Sequence, residues 1–333
     1  MTPITVAHYG LGPIGLGIAG LVVDRGYRIV AAVDIDPEKA GRDLGALLDR
    51  KPLGFAVTND AAAALATRPQ VVFHSTQSHL AQVTPQVLAI VGAGASVIST
   101  CEELAFPWYH HPEEARRIGE AAKARGVTVV GLGVNPGFVM DLLPIVLTAP
   151  CREIRAIRVT RVVDAGQRRL ALQRKVGAGL GRGEFEDGVA AGRIGHVGLK
   201  ESVAMIADAL GWTLDAIIEQ IEPVMDGTTA RGLHQVATGL RGAGQRDGGR
   251  QGRERRPEGD PAITLDLTMA MDAPNPRDVV TIEGDPPITM TVAGGIHGDV
   301  ATCALAVNAL PRVLAASPGL MTVHRLPPIH GTS

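Results

Sequence analysis

A glycine-rich turn lies between an apolar run and a helix-like segment, with glycines at positions Gly10, Gly12 and Gly15. In such a turn the first glycine permits a tight bend, the second lets the backbone approach a pyrophosphate, and the third lets helix and strand pack closely. The helix N-terminus adds unpaired N–H groups and a partial positive charge. Asp34 follows at the distance where an acid hydrogen-bonds the hydroxyls of an adenosine ribose. The spacing predicts a dinucleotide site made by Gly10, Gly12, Pro13, Ile14, Gly15 and Asp34.

The same segment bears on the choice between NAD and NADP. Asp34 favours NAD because its charge repels a 2′-phosphate. Lys39 and Arg42 follow closely and could reach such a phosphate, or they could be solvated helix charges. We therefore expect NAD or NADP as the cofactor, with NAD favoured. The competing interpretation of the whole motif is that its glycines serve packing alone.

Small polar residues follow two further apolar runs. Ser75 and Thr76 come after the run 71–74, and Thr100 and Cys101 come after the run 97–99. Ligands of open parallel sheets bind at the carboxyl ends of the strands, so we expect cofactor contacts at these four residues. Ser75 and Thr76 could also cap the next helix, and both roles can hold together.

Two adjacent carboxylates, Glu102 and Glu103, stand at the same predicted strand end and are followed by apolar residues. A partly desolvated carboxyl group there would have a pKa useful for proton transfer. Only one of the two can point inward, because side chains alternate in an extended segment. The alternative is that both are surface charges. We interpret Cys101 as a small pocket wall, since the sequence identifies no partner that would activate a thiol.

These residues need a sheet that brings them together. Runs rich in Val, Ile and Ala alternate with helical segments before residue 140, and parallel strands require such helical crossovers. The pattern predicts an α/β fold with a Rossmann-type doubly wound parallel sheet. We expect strands at 4–9, 27–34, 54–58, 71–74, 97–99 and 127–131, and helices at 14–25, 37–48, 60–66, 78–91 and 112–125.

Beyond residue 144 the pattern is that of an α+β domain. The run 154–163 alternates apolar and polar residues, as a strand with one buried face does. We expect further strands at 262–271 and 288–292, helices at 197–210, 214–221 and 301–314, and a glycine-rich segment at 176–195. The predicted organisation is a dinucleotide-binding domain at 1–140, an α+β substrate and dimerisation domain at 141–295, and a C-terminal helix and tail at 296–333 that returns to the first domain.

Composition excludes several classes of protein. The 333 residues carry a formal charge of −2, which argues against nucleic-acid and membrane-surface partners. No apolar run reaches the ~18 residues of a membrane span, and the N-terminus lacks the charged region of a signal peptide. Three separated cysteines fit a reducing cytoplasm and no metal site. The arginine-rich segment 241–260 is interpreted as a surface loop, the alternative being a phosphate-binding patch.

Collinear segments along nearly the whole chain resemble the 2,4-diaminopentanoate dehydrogenases and the related native amine dehydrogenases, whose first domain is similar to that of dihydrodipicolinate reductases. Asn308 and the following segments carry the resemblance: 10–17, 33–43, 101–107, 133–141, 172–180, 195–202, 294–302 and 318–320. It implies a homodimeric NAD(P)-dependent enzyme that interconverts an amine with a ketone or aldehyde and ammonia.

The resemblance also implies roles for individual residues. A glutamate of the pair is the acid/base, with Glu103 favoured over Glu102. Substrate-binding residues are expected at Asn135, Arg161, His196 and Thr302, and Asn308 joins the cofactor set. Arg161 could clamp a carboxylate bidentately or form an interdomain salt bridge. His196 could line the pocket or simply begin a helix, and Asn135 also lies in an Asn-Pro-Gly turn at the predicted sheet edge.

One departure separates the chain from the dihydrodipicolinate reductases. Its His110-His111 pair is followed by Pro-Glu-Glu-Ala, and the lysine-containing stretch that binds their cyclic diacid is missing. Two other functions stay open from the sequence. One is an NAD(P)-dependent reductase of a carbonyl or cyclic imine without ammonia, and the other is a dinucleotide-binding sensor without turnover.

Overall fold

The protein is described by a computed structural model that covers residues 3–167, 170–242 and 259–331. Contacts divide the chain into two compact units. The first comprises the described parts of Met1–Gly137 and His297–Ser333, and the second those of Phe138–Ile296. Most of the arginine-rich segment, residues 243–258, lies outside the described residues, so both interpretations of it stay predictions.

The elements are numbered in chain order. The strands are β1 (Thr5–Tyr9), β2 (Arg28–Val33), β3 (Val71–His74), β4 (Ser96–Ser99), β5 (Thr128–Gly131), β6 (Glu153–Asp164), β7 (Ala216–Asp226), β8 (Thr229–Arg241), β9 (Asp260–Ala270), β10 (Arg277–Asp285), β11 (Ile288–Ala293) and β12 (Gly319–Met321). The helices are α1 (Pro13–Asp24), α2 (Leu44–Leu47), α3 (Ala61–Leu65), α4 (Leu80–Gly92), α5 (Pro112–Arg125), α6 (Leu142–Leu147), α7 (Leu170–Lys175), α8 (Arg182–Ala190), α9 (Leu199–Leu210) and α10 (Gly298–Ala315).

The first unit is built on a parallel sheet with the strand order β12-β5-β4-β3-β1-β2. Every residue of β3, β4 and β5 is buried, as expected of parallel strands covered on both faces. Helices α4 and α5 pack on one face, and α1 and α10 pack on the other. The chain runs from β1 outward to β2 and then returns to β3 on the other side of β1. The topological switch point therefore lies between the carboxyl ends of β1 and β3.

Three features of the first unit differ from the sequence-based expectations. Residues 54–58 form two isolated bridges instead of a strand, because their amides divide between two segments: Val57 donates to the Arg42 carbonyl at 2.8 Å and Thr58 to the Ala32 carbonyl at 3.0 Å. The helix expected at 37–48 shrinks to α2, which begins after Asp43. Strand β12 was not predicted, since its three residues depend on pairing with β5.

The second unit contains a mixed sheet with the strand order β11-β10-β6-β9-β8-β7, in which only the β6 and β9 pair is parallel among the described strands. Helix α9 packs on β7, β8 and β9, and α6 packs on β10. These helices cover one face of the sheet. Along β8 buried and partly exposed residues alternate, as in a strand with one covered face.

Several elements of the second unit differ from those expected from the sequence. The helix expected at 214–221 is wrong, because this segment belongs to the edge strand β7, which tolerates Pro223. The glycine-rich segment 176–195 contains α8, and strands β8 and β10 were missed. In β8, a Cβ at Gly232 would lie 2.0 Å from the Met269 carbonyl oxygen. This glycine weakens the strand pattern in the sequence, yet the close approach of β9 requires it.

The predicted fold class is confirmed. The protein combines a doubly wound parallel sheet with a second unit of mixed sheet and helices. Within the described ranges, no helix combines the length and apolarity that crossing a membrane would take.

Candidate active site

The glycine turn leaves the carboxyl end of β1 at the switch point. Gly10 has a φ of +91°, and its amide donates to the Val33 carbonyl at 2.8 Å. A Cβ there would lie 2.5 Å from the Ser75 carbonyl oxygen, and one at Gly15 would lie 2.1 Å from the Gly10 oxygen. By contrast, a Cβ at Gly12 would meet nothing within 4 Å. The first and third glycines are therefore needed for packing, whereas the second leaves open space at the start of α1.

Asp34 follows β2 and is tied to the glycine turn. Its Oδ2 accepts the Leu11 amide at 2.6 Å, and its Oδ1 accepts the Asp36 amide at 2.9 Å. Lys39 Nζ lies 3.4 Å from Asp34 and 3.1 Å from Asp36. The lysine is thus shared between two carboxylates and is not simply solvated. Ile35 beside Asp34 is 88% exposed, an unusual exposure for a large apolar side chain.

Two buried polar atoms of the predicted cofactor set lack hydrogen-bond partners among the described residues. They are Ser75 Oγ and Asn308 Oδ1. A buried polar atom without a partner costs free energy, and a ligand that supplies the missing hydrogen bonds removes that cost. Together with the open space at Gly12, these atoms fit a dinucleotide. Thr76 is exposed at the end of β3, and its hydroxyl donates to Gln86 at 2.8 Å.

The Glu103 carboxylate is held by three donors. Its Oε1 lies 2.8 Å from His79 Nδ1, and its Oε2 lies 2.9 Å from His111 Nε2 and accepts the Leu80 amide at 2.6 Å. Burial by itself raises the pKa of Glu103, but the hydrogen bonds from His79 and Leu80 and the two histidine charges outweigh it and hold the pKa below its usual range. Glu103 therefore caps the start of α4 as a carboxylate.

Glu102 begins the short 3-10 turn Glu102–Ala105 that follows β4. Consecutive side chains of such a turn diverge by about a third of a circle, so Glu102 and Glu103 point in different directions. The turn is anchored to the residues before α4, because the Cys101 thiol and the Glu103 amide both donate to the Ser78 carbonyl, at 3.2 and 3.3 Å. Burial raises the pKa of Cys101, which keeps it a thiol. The Thr100 amide donates to the His74 carbonyl at 2.9 Å.

Asn135 and Thr302 belong to the first unit as well. Asn135 is 8% exposed and begins a turn four residues after the end of β5. Thr302 lies in the first turns of α10, and its Oγ1 accepts the Val134 amide at 3.1 Å. A Cβ at Gly133 would lie 3.6 Å from Thr302 Oγ1. The structure thus places Thr302 directly against the segment that carries Asn135.

Arg161 and His196 lie in the second unit. Arg161 is 3% exposed; its Nη1 lies 2.7 Å from Asp278 Oδ1 and its Nη2 donates to the Ile296 carbonyl at 2.7 Å. This ion pair joins neighbouring strands within one unit, so it differs from the interdomain salt bridge considered from the sequence. Its charge is also already neutralised, which disfavours a substrate clamp.

The backbone of His196 is fixed by one buried amide. Gln235 accepts the His196 amide at 2.7 Å and donates to its carbonyl at 2.9 Å. The same Gln235 Nε2 donates to Glu219 at 2.9 Å. His196 therefore lies on a rigid segment just before α9, as a residue that lines a pocket would need.

Sequence reasoning did not assign the structural roles of three histidines of the first unit. His79 and His111 hold Glu103, and His74 is completely buried at the end of β3. The sequence signal that could have indicated these roles was position: His79 lies directly before α4, His111 directly before α5, and His74 at the end of β3. Among the described residues, no group of three His, Cys, Asp or Glu is arranged to hold a metal ion.

The chain is similar to known dehydrogenases over nearly its whole length. The model of the 2,4-diaminopentanoate dehydrogenase C-terminal domain matches residues 138–332. The 2,4-diaminopentanoate dehydrogenase of Acetoanaerobium sticklandii is 32% identical, with 98% of this chain and 94% of that protein covered. The chain belongs to the 2,4-diaminopentanoate dehydrogenase family. The resemblance predicted from the sequence is thereby confirmed.

Two amine dehydrogenases are also similar to this chain over nearly its whole length. An amine dehydrogenase of Streptomyces virginiae is 27% identical, and the match covers 97% of this chain and 96% of that protein. The solved structure of an amine dehydrogenase from Mycobacterium smegmatis superimposes with a TM-score of 0.84 at 24% identity, covering 99% of this chain and 97% of that one. That structure shows that the fold extends over both units.

Proposed function

We propose that the protein is an NAD(P)-dependent amine dehydrogenase that converts a ketone or aldehyde and ammonia into an amine, and runs the reverse oxidative deamination. One observation carries the proposal: Glu102 and Glu103 follow β4 in the same sheet in which the glycine turn follows β1. The chain also belongs to the 2,4-diaminopentanoate dehydrogenase family. Ligands of such sheets bind at the carboxyl ends of the strands.

The residues that would hold the dinucleotide are those of the glycine turn and the neighbouring strand ends. The turn at Gly12 and the N-terminus of α1 would bind the pyrophosphate. Asp34 would bind the adenosine ribose, and Ser75 and Asn308 would give their buried polar atoms to the remaining groups. When bound, the cofactor supplies or accepts the hydride. Five further residues of the predicted cofactor set are proposed to line this site with apolar side-chain or backbone atoms: Pro13, Ile14, Thr76, Thr100 and Cys101.

Glu102 is our choice for the acid/base of the reaction. Both Glu103 oxygens are occupied by a helix amide and two imidazoles, so proton transfer through Glu103 would break the cap of α4. Glu102 starts the 3-10 turn at the end of β4, and we propose it as the acid/base on that position. The preference for Glu103 in the sequence analysis is therefore reversed, and Glu103 becomes the residue that holds the loop.

The proton transfers follow from a carboxylate at this place. The Glu102 carboxylate takes a proton from ammonium and gives it to the carbonyl oxygen as the C–N bond forms; it then takes a second proton from the added nitrogen and gives it to the resulting hydroxyl, which leaves as water. The carboxylate that remains stabilises the positive iminium carbon and nitrogen before the carbon is reduced. Asn135, Thr302 and His196 are each proposed to contact the substrate, whereas Arg161 is not.

Ammonium dependence is the decisive test. NADH and NADPH oxidation would be followed with keto acids, aliphatic ketones and aldehydes, each with and without excess ammonium. We expect oxidation that requires ammonium and yields a primary amine by mass spectrometry. Equal rates without ammonium would replace the proposal by a carbonyl or cyclic-imine reductase. Cofactor binding without turnover over the whole panel would replace it by a dinucleotide sensor.

NAD is proposed as the preferred cofactor. Two carboxylates surround Lys39, so a 2′-phosphate would meet a net negative group. Asp34→Ala is expected to weaken NADH binding by ~10-fold or more through the loss of charge-assisted hydrogen bonds, and to weaken NADPH binding far less. Fluorescence titration gives both dissociation constants. Glu38→Ala, an exposed acid nearby, is the control, and unchanged NADH affinity in Asp34→Ala would contradict the ribose role.

We also propose a homodimer in a reducing cytoplasm. The face of the second sheet opposite α9 carries Thr160, Asp266 and Val236 in one cross-strand row, each partly exposed. A partly apolar sheet face of this kind suits packing against a second copy.

None of the three cysteines forms a disulfide bond, which agrees with a reducing compartment.

A further inference from the structure

A buried hydrogen-bond network joins the end of β3 to the acidic loop. His74 and Ser99 lie opposite each other in the register of β3 and β4, and both are fully buried. His74 Nδ1 lies 2.9 Å from Ser99 Oγ, and Ser99 Oγ accepts the Cys101 amide at 3.1 Å. On the other side of the ring, His74 Nε2 lies 2.8 Å from Gln86 Oε1 of α4. At its other end the network reaches the amide of Cys101, the residue directly before Glu102.

The chemistry of the partners determines the direction of each hydrogen bond. Gln86 Oε1 can only accept, and Thr76 Oγ1, which lies 3.0 Å from His74 Nε2, donates to that same oxygen, so His74 Nε2 carries the hydrogen and Nδ1 carries a lone pair. Burial lowers the pKa of His74 to about 4, so the ring is neutral at physiological pH. The Ser99 hydroxyl then donates to Nδ1, and its oxygen faces the Cys101 N–H. A polar chain in which each donor has an acceptor holds its members in one arrangement.

We propose that His74 is a positioning residue of the reaction, which acts through Ser99 to orient the Cys101 amide and thereby the turn that carries Glu102. The inference rests on the proposed function, because it gives Glu102 the acid/base role. His74 takes no part in proton transfer. It sets the placement of a group that does, and a displacement of about 1 Å in such a group can cost about 100-fold in rate.

The loop keeps other attachments when this network is removed. The Thr100 amide still donates to the His74 carbonyl, and the Cys101 thiol and the Glu103 amide still donate to Ser78. Loss of the network therefore changes the orientation of the turn without releasing it from the sheet. For this reason the expected effect is on kcat more than on folding.

Two serines of β4 provide a matched pair of variants. Ser96 and Ser99 are both buried, and each Oγ accepts one backbone amide, from Thr128 at 3.2 Å and from Cys101 at 3.1 Å. Ser96 lies at the start of the strand, away from the carboxyl-end site. We expect both variants to lower the melting temperature, Ser99→Ala somewhat more, because it also removes the donor to His74 Nδ1. We expect kcat to fall by about 10- to 100-fold only in Ser99→Ala, with the dissociation constant of NAD(P)H nearly unchanged.

The imidazole itself is tested by two substitutions. His74→Leu removes the acceptor for Ser99 and should lower kcat as Ser99→Ala does. His74→Asn keeps an amide oxygen close to the place of Nδ1 and should restore most of kcat. Equal activities of the Leu and Asn variants would overturn the positioning role, as would equal kcat in the two serine variants.

A readout without turnover separates this inference from the proposed function. Hydrogen–deuterium exchange of peptides covering 100–105 should be faster in Ser99→Ala and His74→Leu than in wild type and Ser96→Ala. Unchanged exchange overturns the positioning role whatever the activity. A wild-type enzyme without ammonium-dependent turnover overturns the proposed function, and altered exchange in the same experiment would still support the coupling between His74 and the turn.

Discussion

Glu102→Gln is expected to lower kcat by about 10²- to 10⁴-fold, the range that general acid–base catalysis contributes. The amide keeps the size of the side chain but can neither take a proton from the nitrogen nor stabilise an iminium cation by charge. Cofactor affinity should be close to that of wild type, because the glycine turn and Asp34 are untouched. Steady-state rates with saturating ammonium and carbonyl substrate, together with NAD(P)H titration, measure both quantities.

Glu103→Gln is the matched control for this prediction. It removes one charge from the neighbouring residue, and with it the charge-assisted contacts to His79, His111 and the Leu80 amide. We expect a loss of stability of ~1–3 kcal/mol at neutral pH and a much smaller loss of kcat. Because the pKa of Glu103 is lowered in the folded state, its stabilisation is present at neutral pH and is lost as the pH falls through that pKa. A folded Glu103→Gln protein as inactive as Glu102→Gln would reverse the two roles.

The first unit is expected to lose stability steeply in mild acid because of two buried histidines. Burial lowers the pKa of His8 to about 3 and that of His74 to about 4, from 6.5 in both cases. Between pH 6.5 and 4 the unfolded chain therefore binds two protons that the folded chain does not. Stability falls with decreasing pH, and the slope approaches about 2.7 kcal/mol per pH unit well below pH 6.5.

His8→Leu tests this dependence. His8 is 1% exposed, it stacks on Phe73 at 5.4 Å between ring centroids, and both its ring nitrogens lack hydrogen-bond partners among the described residues. An apolar side chain removes that cost, so we expect a gain of about 1 kcal/mol at pH 7.5 and about half the wild-type slope at pH 5. Urea midpoints followed by circular dichroism at several pH values give the slope. His330→Leu, at an exposed histidine, is the control, and an unchanged slope in His8→Leu would contradict the prediction.

The elements of the first unit were largely predictable because their signals are local. The run 71–74 forms β3 and the segment 112–125 forms α5 within the predicted bounds. By contrast, the strand expected at 54–58 is wrong, because the amides of Val57 and Thr58 bond to two separate segments, at Arg42 and Ala32, instead of pairing along one strand. The missed β12 is three residues long and exists through its pairing with β5.

Local sequence patterns sufficed to predict the glycine turn after β1, Asp34 after β2 and the acidic pair after β4, because each pattern involves residues a few positions apart. The folded chain was needed to see that Glu103 is bound by His79 and His111 and that Arg161 is neutralised by Asp278. These partners are 24, 8 and 117 residues apart in the chain. A single sequence shows which residues can ionise, whereas folding decides which of them come into contact and lose their water together. For this reason the different roles of Glu102 and Glu103 could not be assigned from the sequence.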